Sequence, residues 1–392
     1  MSRGAAVNAQ KMRLAISFGG SKIALGLVAS RTPDLIAQSG RVEWRPRLKS
    51  LGEFSAGSLL NLVVLEAAGL LNAAGATFEE IELVGCAWPG PGRYSQGLVS
   101  ATFLPGFEEP QDLHSMLRSR FATRFGPAAG TVPMLTLLDA SARARGELLV
   151  SGGAFGPRSP GKPNGLLVNI ATGIAGAIVR RGEVLTELDG YGETYGLWGR
   201  YLFRDLAWSI WTWRGTEDGS VPQYEPGEEV RFTEFCGGPA LARAYARIWV
   251  HHAGSADLRD PGRKPILTLA RSPERDPQAE KQVLEEVTLL ASRGVPLAKD
   301  FVDRAGTEIG LALRALRAKV SAEVVDETIV LGGGIGEFFG KAPRGEAAPD
   351  PFLAAAQSAL GVGTPCIVRS TAGIRAELIG CVAQPIPKAN SL

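Results

Sequence analysis

The stretch MRLAISFGGSKIALGLVA, Met12 to Ala29, decides how the rest of the chain is read. Met12 to Ile16 and Ile23 to Ala29 are mostly apolar, and the glycine pair between them predicts a tight hairpin joining two strands. Backbone amides in such a turn can hold phosphate oxygens, because a missing side chain lets a ligand approach closely. The turn Gly19, Gly20, Ser21 and Lys22 is therefore the first candidate site. Two more glycine-rich turns follow apolar strands: Thr172 to Gly176 after Leu166 to Ile170, and Gly332 to Gly336 after Thr328 to Leu331. Any one of them is explained by glycine's tolerance of positive φ. Together they point to a polyphosphate ligand. None fits GxxxxGK followed by Ser or Thr, and none fits GxGxxG opening a helix, which excludes the P-loop and the dinucleotide fold.

Outward from these turns, strands alternate with helices. Phe54 to Ala74 has apolar residues at helical spacing and precedes the strand Ile81 to Ala87, which ends in WPGPG, Trp88 to Gly92. After FLPGF, Phe103 to Phe107, an amphipathic helix is predicted over Leu113 to Phe125. Met134 to Leu138 reads as a buried strand running into Asp139, and Ala140 to Val150 as a helix. A Gly/Pro-rich loop, Gly152 to Gly165, comes next. The second strand after Ala171 to Gly176, Ala177 to Arg180, repeats the strand, turn and strand of the N-terminus about half a chain later. Leu297 to Val320 is a predicted helix, and a last helix begins near Ala372. This alternation predicts an α/β protein with mixed sheets.

The length of 392 residues and hydrophobic content of 45% suit two domains. The 42 Lys and Arg against 40 Asp and Glu give a formal charge of only +2, so no field recruits nucleic acid or an anionic membrane. A small-molecule partner fits better. Cys86, Cys236, Cys366 and Cys381 form no CxxC pair and are read as reduced core or near-core thiols. The polar N-terminus and the glycines that interrupt the following apolar run give no signal-peptide core, and no stretch reaches the roughly 20 apolar residues of a span. A cytoplasmic protein is expected. His114, His251 and His252 are read as surface residues.

Asp139 stands where a strand ends and a helix starts, a position that suits an N-cap. On position alone the cap is the stronger reading; a general base needs a substrate hydroxyl and a γ-phosphate to meet near that strand end, since phosphoryl transfer asks for an oriented hydroxyl and stabilised charge rather than covalent chemistry.

Taken in order, these segments resemble the ROK family of sugar kinases in the actin-like ATPase superfamily. SFGGSK, Ser17 to Lys22, is similar to that family's phosphate loop DxGGTK, and WPGPG to its V-P-G-P turn. FLPGF resembles NLPGW, LDASARARGE at Leu138 to Glu147 resembles the catalytic NDANAAALGE, and NIATGIAGAI at Asn169 to Ile178 resembles GTGIGGGI. DGYGETYG at Asp189 to Gly196 is similar to GAGEIGH, FCGGPALAR at Phe235 to Arg243 to SGPALAR, IVLGGGI at Ile329 to Ile335 to the adenosine-side loop, and AGIRAELIGCVA at Ala372 to Ala383 to the closing helix.

The resemblance implies two actin-like (ribonuclease H-like) α/β lobes, with mixed sheets flanked by helices and an interlobe cleft. The first lobe would cover residues 12–135, completed by a C-terminal helix over 372–385. The second would cover 136–371, with insertions near 208–232 and 251–280. ATP and Mg²⁺ would be the cofactors. Asp139 would be the general base, and Gly19, Gly20, Ser21, Lys22, Thr172 and Gly173 the phosphate contacts. Gly333 and Gly334 would lie near adenosine, and Glu193, Phe103, Gly106 and Leu138 on the substrate side. Homodimers are common in the family.

The departures fall on chemistry. The phosphate-loop Asp is Ser17 here, a weaker ligand for a hard cation. The Asn of NLPGW is Phe103 and the Asn before the catalytic Asp is Leu138, so two groups that would bond sugar hydroxyls are apolar. No CxCGxxGC follows Glu193, and Tyr195, Gly196 and Leu197 occupy the ligand-histidine region, so no zinc is expected. No helix-turn-helix precedes residue 12, against the family's repressors. The reading is an ATP-dependent kinase of a hexose, aminosugar, deoxysugar or cyclitol; the alternative is a catalytically weak sugar or nucleotide sensor. A nicotinamide oxidoreductase lacks its motif.

Overall fold

In the computed structural model, residues 11–50, 52–156, 163–185, 202–203, 230–231, 236–254, 259–271, 276–319, 328–341, 350–361 and 365–383 are described. They fall into two compact units, one of residues 1–162, 181–196 and 371–392 and the other of residues 163–180 and 197–370.

The first unit is built on β1 (Met12–Phe18), β2 (Lys22–Ala29), β3 (Leu35–Gln38), β4 (Val42–Glu43) and β5 (Ile81–Trp88). Three short strands, β6 (Gly92–Arg93), β7 (Leu98–Val99) and β8 (Gln111–Asp112), form a separate small sheet, and β9 (Met134–Leu138) returns to the main one. The main order is β3-β2-β1-β5-β9, with β4 on β2. β1 and β2 are antiparallel, whereas β1, β5 and β9 run parallel, with Ser17 opposite Ala87 and Trp88 opposite Leu138. The near-continuous apolar sequences of β1, β2 and β5 match strands covered on both faces.

The helices here are α1 (Trp44–Ser50), α2 (Ala56–Ala73), α3 (Leu113–Phe125) and α4 (Asp139–Leu149). α2 starts at Ser55, whose side chain caps the Ser58 amide. By length and composition α2 is apolar enough to cross a membrane; Leu59, Leu60, Val63 and Ala67 are buried in this unit, and the helix packs on β2 and α3.

The second unit repeats the plan with β10 (Gly165–Ile170), β11 (Ile174–Arg180), a two-residue pair β13 (Leu202–Phe203) and β14 (Val230–Arg231), β15 (Thr328–Gly332) and β16 (Cys366–Arg369); the edge strand β12 (Glu183–Val184) lies in the range 181–196 that is grouped with the first unit. The sheet order is β12-β11-β10-β15-β16, antiparallel at β10/β11 and parallel at β10/β15 and β15/β16. The repeat expected from the sequence is thus a repeat of topology. Its helices are α5 (Gly238–His252), α6 (Lys264–Arg271), α7 (Pro277–Ser292), α8 (Pro296–Lys319), α9 (Gly333–Phe338) and α10 (Pro351–Leu360). α6 lies in the stretch expected as a polar insertion at 251–280, and it buries Ile266 and Leu269.

The last helix, α11 (Gly373–Val382), belongs to the first unit. It crosses α4 at backbone contact: a Cβ on Gly146 would lie 1.8 Å from the Ala376 carbonyl oxygen, and one on Gly380 would lie 1.7 Å from that of Ala142. Ala15, Val28, Leu83, Leu137, Leu378 and Cys381 form the core beneath this crossing. These contacts correct the expected lobe boundary at 135/136. β9 pairs with β5 and α4 packs on α11, so both stay with the first sheet.

Candidate active site

Because β1, β5 and β9 are parallel, their C-terminal ends share one edge of the first sheet. The glycine turn after Phe18, WPGPG after β5 and Asp139 after β9 therefore line up along that edge. Neighbouring strands are about 4.8 Å apart, so the ends of β1 and β9 are separated by about 10 Å. Ligands of α/β sheets bind outside such carboxyl ends.

The turn closes on itself through the Gly19 amide, which donates to the Lys22 carbonyl at 2.8 Å. Its other carbonyls are held from α1: Trp44 Nε1 donates to Gly19 O at 3.1 Å, and Arg45 Nε to Gly20 O at 3.4 Å. Gly19, Gly20, Ser21 and Lys22 are all half-buried. Lys22 sits opposite Glu43 in the β2/β4 register, and its Nζ is 3.5 Å from Glu43 Oε1.

At the end of β9, Asp139 is half-buried as the first residue of α4, and its Oδ1 accepts from the Ala140 amide at 2.7 Å. Leu138, not Asp139, holds the N-cap position and supplies no side-chain bond, so the capping role open to Asp139 from sequence does not apply. Leu138 is buried and Phe103 half-buried. FLPGF is fixed by a column of rings: Phe107 meets Trp88 edge-on at 4.8 Å, and Trp88 packs on Phe18 at 5.0 Å. Gly106 has φ of +74°, and a Cβ there would come within 2.6 Å of the Ala56 amide nitrogen. Arg45 reaches this segment too, with Nη2 donating to Phe103 O at 3.1 Å.

Ser17 lies beneath the turn, buried in β1. Its hydroxyl donates to Glu377 Oε1 of α11, and Arg143 of α4 donates to Glu377 Oε2 at 3.0 Å. All three residues are buried. The carboxylate absent from position 17 thus has a counterpart from α11, but one oxygen is taken by a hydroxyl and the other by a guanidinium. A directly held divalent cation needs free, uncompensated oxygens. Position 17 does not fit one.

In the second unit, β10, β15 and β16 also end at one sheet edge. Thr172 is half-buried and Gly173 exposed, in a turn closed by Ala171 N to Gly173 O at 2.9 Å and braced by Gly238 N to Ala171 O at 2.7 Å. Gly333 is buried with φ of +78°, and a Cβ there would lie 2.4 Å from Ile170 O. Gly334 is exposed, with open space where a side chain would be. Of the segment expected as a turn, Gly332 to Gly336, Gly332 ends β15 as the N-cap and the rest opens helix α9. Glu193 and the region of Tyr195 to Leu197 lie outside the described residues. Among the described residues, no group of three or more His, Cys, Asp or Glu side chains is gathered for a metal ion.

Two expectations from sequence are corrected. His114 is buried, with Nε2 2.9 Å from Thr136 Oγ1, and burial pushes its pKa down to about 4. The reason is Gly97: its φ of +71° and missing side chain open room for the imidazole, since a Cβ would sit 2.4 Å from the ring. Cys366 is exposed rather than in or near the core, because it opens β16 with its side chain outward. Cys86, Cys236 and Cys381 are buried, and burial raises the Cys86 thiol to about 12.

Trp44, Arg45, Arg143 and Glu377 were not legible as site residues. Glu377 did carry a signal, as the lone acid in the apolar run of AELIGCVA.

The architecture has solved counterparts. The chain is similar to a ROK family glucokinase from Streptomyces griseus in complex with glucose and AMPPNP, at 17% identity and TM-score 0.60 over 95% of this chain and 98% of that one. It is also similar to the ROK hexokinase from Thermus thermophilus, at 21% identity and TM-score 0.56 over 95% and 96%. The chain has the ROK fold. The ROK fold is shared as well by a ROK family transcriptional regulator, a homolog of the E. coli MLC protein, at 15% identity and TM-score 0.62 over 96% of this chain and 78% of that one. No protein-family model and no curated protein matches the sequence.

Proposed function

We propose that the chain is a kinase that transfers the γ-phosphoryl group of ATP to a hydroxyl of a sugar or sugar-like polyol. The observation that carries this reading is the shared sheet edge, on which the glycine turn after β1 and the carboxylate of Asp139 after β9 stand two strands apart. Asp139 accepts the proton of the acceptor hydroxyl as its oxygen bonds to the γ-phosphorus, and the bond to ADP breaks. In the first unit the turn amides hold phosphate oxygens. In the second, Thr172 and Gly173 take phosphate, and Gly334, with open space where a side chain would be, leaves room for adenosine, while the side-chain position of Gly333 is filled by the Ile170 carbonyl. The ROK glucokinase similar to this chain is described with glucose and AMPPNP, a sugar and a nucleotide, which supports the pairing.

Phe103 and Leu138 stand where the family motif has asparagines, so the acceptor is less polar than glucose at those contacts: a deoxysugar, an aminosugar or a cyclitol. A second reading, a sugar or nucleotide sensor of little or no catalytic power, is favoured by one observation, the compensated Glu377 carboxylate at Ser17. An acceptor panel of sugars and cyclitols, assayed for ATP-dependent phosphorylation, separates the two. Phosphorylation of a member supports the kinase; nucleotide binding with no phosphorylated product supports the sensor.

A further inference from the structure

The segment Val42 to Ser50 carries no motif, yet it is what holds the first glycine turn. Trp44 is fully buried, and the Arg45 guanidinium lies 4.7 Å from the centre of its ring. In a trans peptide the C=O and the following N–H point in opposite directions. Gly19 O is drawn toward Trp44 Nε1, which turns the Gly20 N–H away from α1. Gly20 O is drawn toward Arg45 Nε, which does the same for the Ser21 N–H. Two successive amides therefore face the side of the turn opposite α1. The hairpin's own closing bond uses the Gly19 amide and neither of these. Successive N–H groups on one side of a turn form an anion-binding concavity.

We infer that Trp44 and Arg45 are positioning residues that aim the Gly20 and Ser21 amides at the nucleotide's phosphates. The inference rests on the kinase reading and adds the residues that orient its phosphate site. Arg45 is suited to the task because its fork reaches two acceptors, Gly20 O and Phe103 O, from one rigid plane. A lysine has a single nitrogen and no such plane. The same side chain thereby ties the phosphate turn to the acceptor-side segment.

The test is calorimetric titration of the full chain and of Trp44→Phe, Arg45→Lys and Arg45→Ala with ATP and, separately, with adenosine, after thermal unfolding has shown each variant folded. ATP affinity is expected to fall about fivefold or more in each variant, with adenosine affinity held within about twofold, the loss of one or two oriented hydrogen bonds. Arg45→Lys is expected to follow Arg45→Ala. ATP affinity unchanged in the variants, or ATP and adenosine weakened alike, overturns the positioning role and leaves the kinase reading standing. Should the unmodified chain bind no ATP, the kinase reading falls and the positioning role with it.

Discussion

The turn after β1 and the turn after β10 occupy the same place in two sheets of like order, and they are held by different means. The first is held by side chains brought from afar: Trp44 and Arg45 on its carbonyls, and beneath it the buried Ser17, Glu377 and Arg143. The second is held by backbone, with Ala171 bonded to Gly173 and Gly238, and by the absence of a side chain at Gly333. A turn held by side chains can change its chemistry while its path is kept, because substitutions at distant positions compensate one another. Here Ser17 replaces the motif's Asp, while Glu377 and Arg143 fill the space with a compensated charge. A turn held by backbone and glycine has no such freedom.

Arg143→Ala is the sharpest way to break the first arrangement. It leaves the Glu377 carboxylate buried without its cation, and a loss of ~3–5 kcal/mol is expected by chemical denaturation. Adding Glu377→Gln to the same chain removes the uncompensated charge and restores most of that loss. A single-variant cost below ~1 kcal/mol, the range of an exposed pair, contradicts a buried clasp.

Glycine substitutions probe the second arrangement and have smaller effects. Gly333→Ala adds a methyl 2.4 Å from Ile170 O at a φ of +78°, and strain plus overpacking cost ~2–4 kcal/mol. Gly173→Ala meets nothing within 4 Å, so its thermal stability should stay within ~0.5 kcal/mol of the unmodified chain. Equal costs at the two positions break the account of a turn held at Gly333.

Much of this fold was legible because its strongest signals are local. The apolar runs of β1, β2, β5 and β9 and the helical spacing of α2, α3 and α8 each fix an element from its own residues, and the boundaries agree to within a few residues. The place of Asp139 at the junction of a buried strand and a helix was legible as well. What escaped is what depends on contacts far apart in sequence. α1 has two arginines, a lysine and Pro46 in seven residues, and it shows no apolar period; its value lies in reaching the turn some 25 positions back. Ser17 and Glu377 are 360 positions apart, so Ser17 alone reads as a lost carboxylate and not as one end of a clasp. His114 looked like a surface group because the glycine that makes room for it lies in another element. The boundary between the units was misplaced for the same reason, since β9 and α4 join the first sheet through β5 and α11.

Asp139→Asn tests the central claim most directly, through two readings on one variant: phosphorylation of an acceptor that the unmodified chain turns over, and affinity for ATP. The carboxamide keeps the size of the side chain and loses its capacity to take a proton. A fall in turnover of at least about 100-fold, with ATP affinity within about threefold of the unmodified chain, is the predicted result for a general base. Turnover comparable to that of the unmodified chain would contradict it.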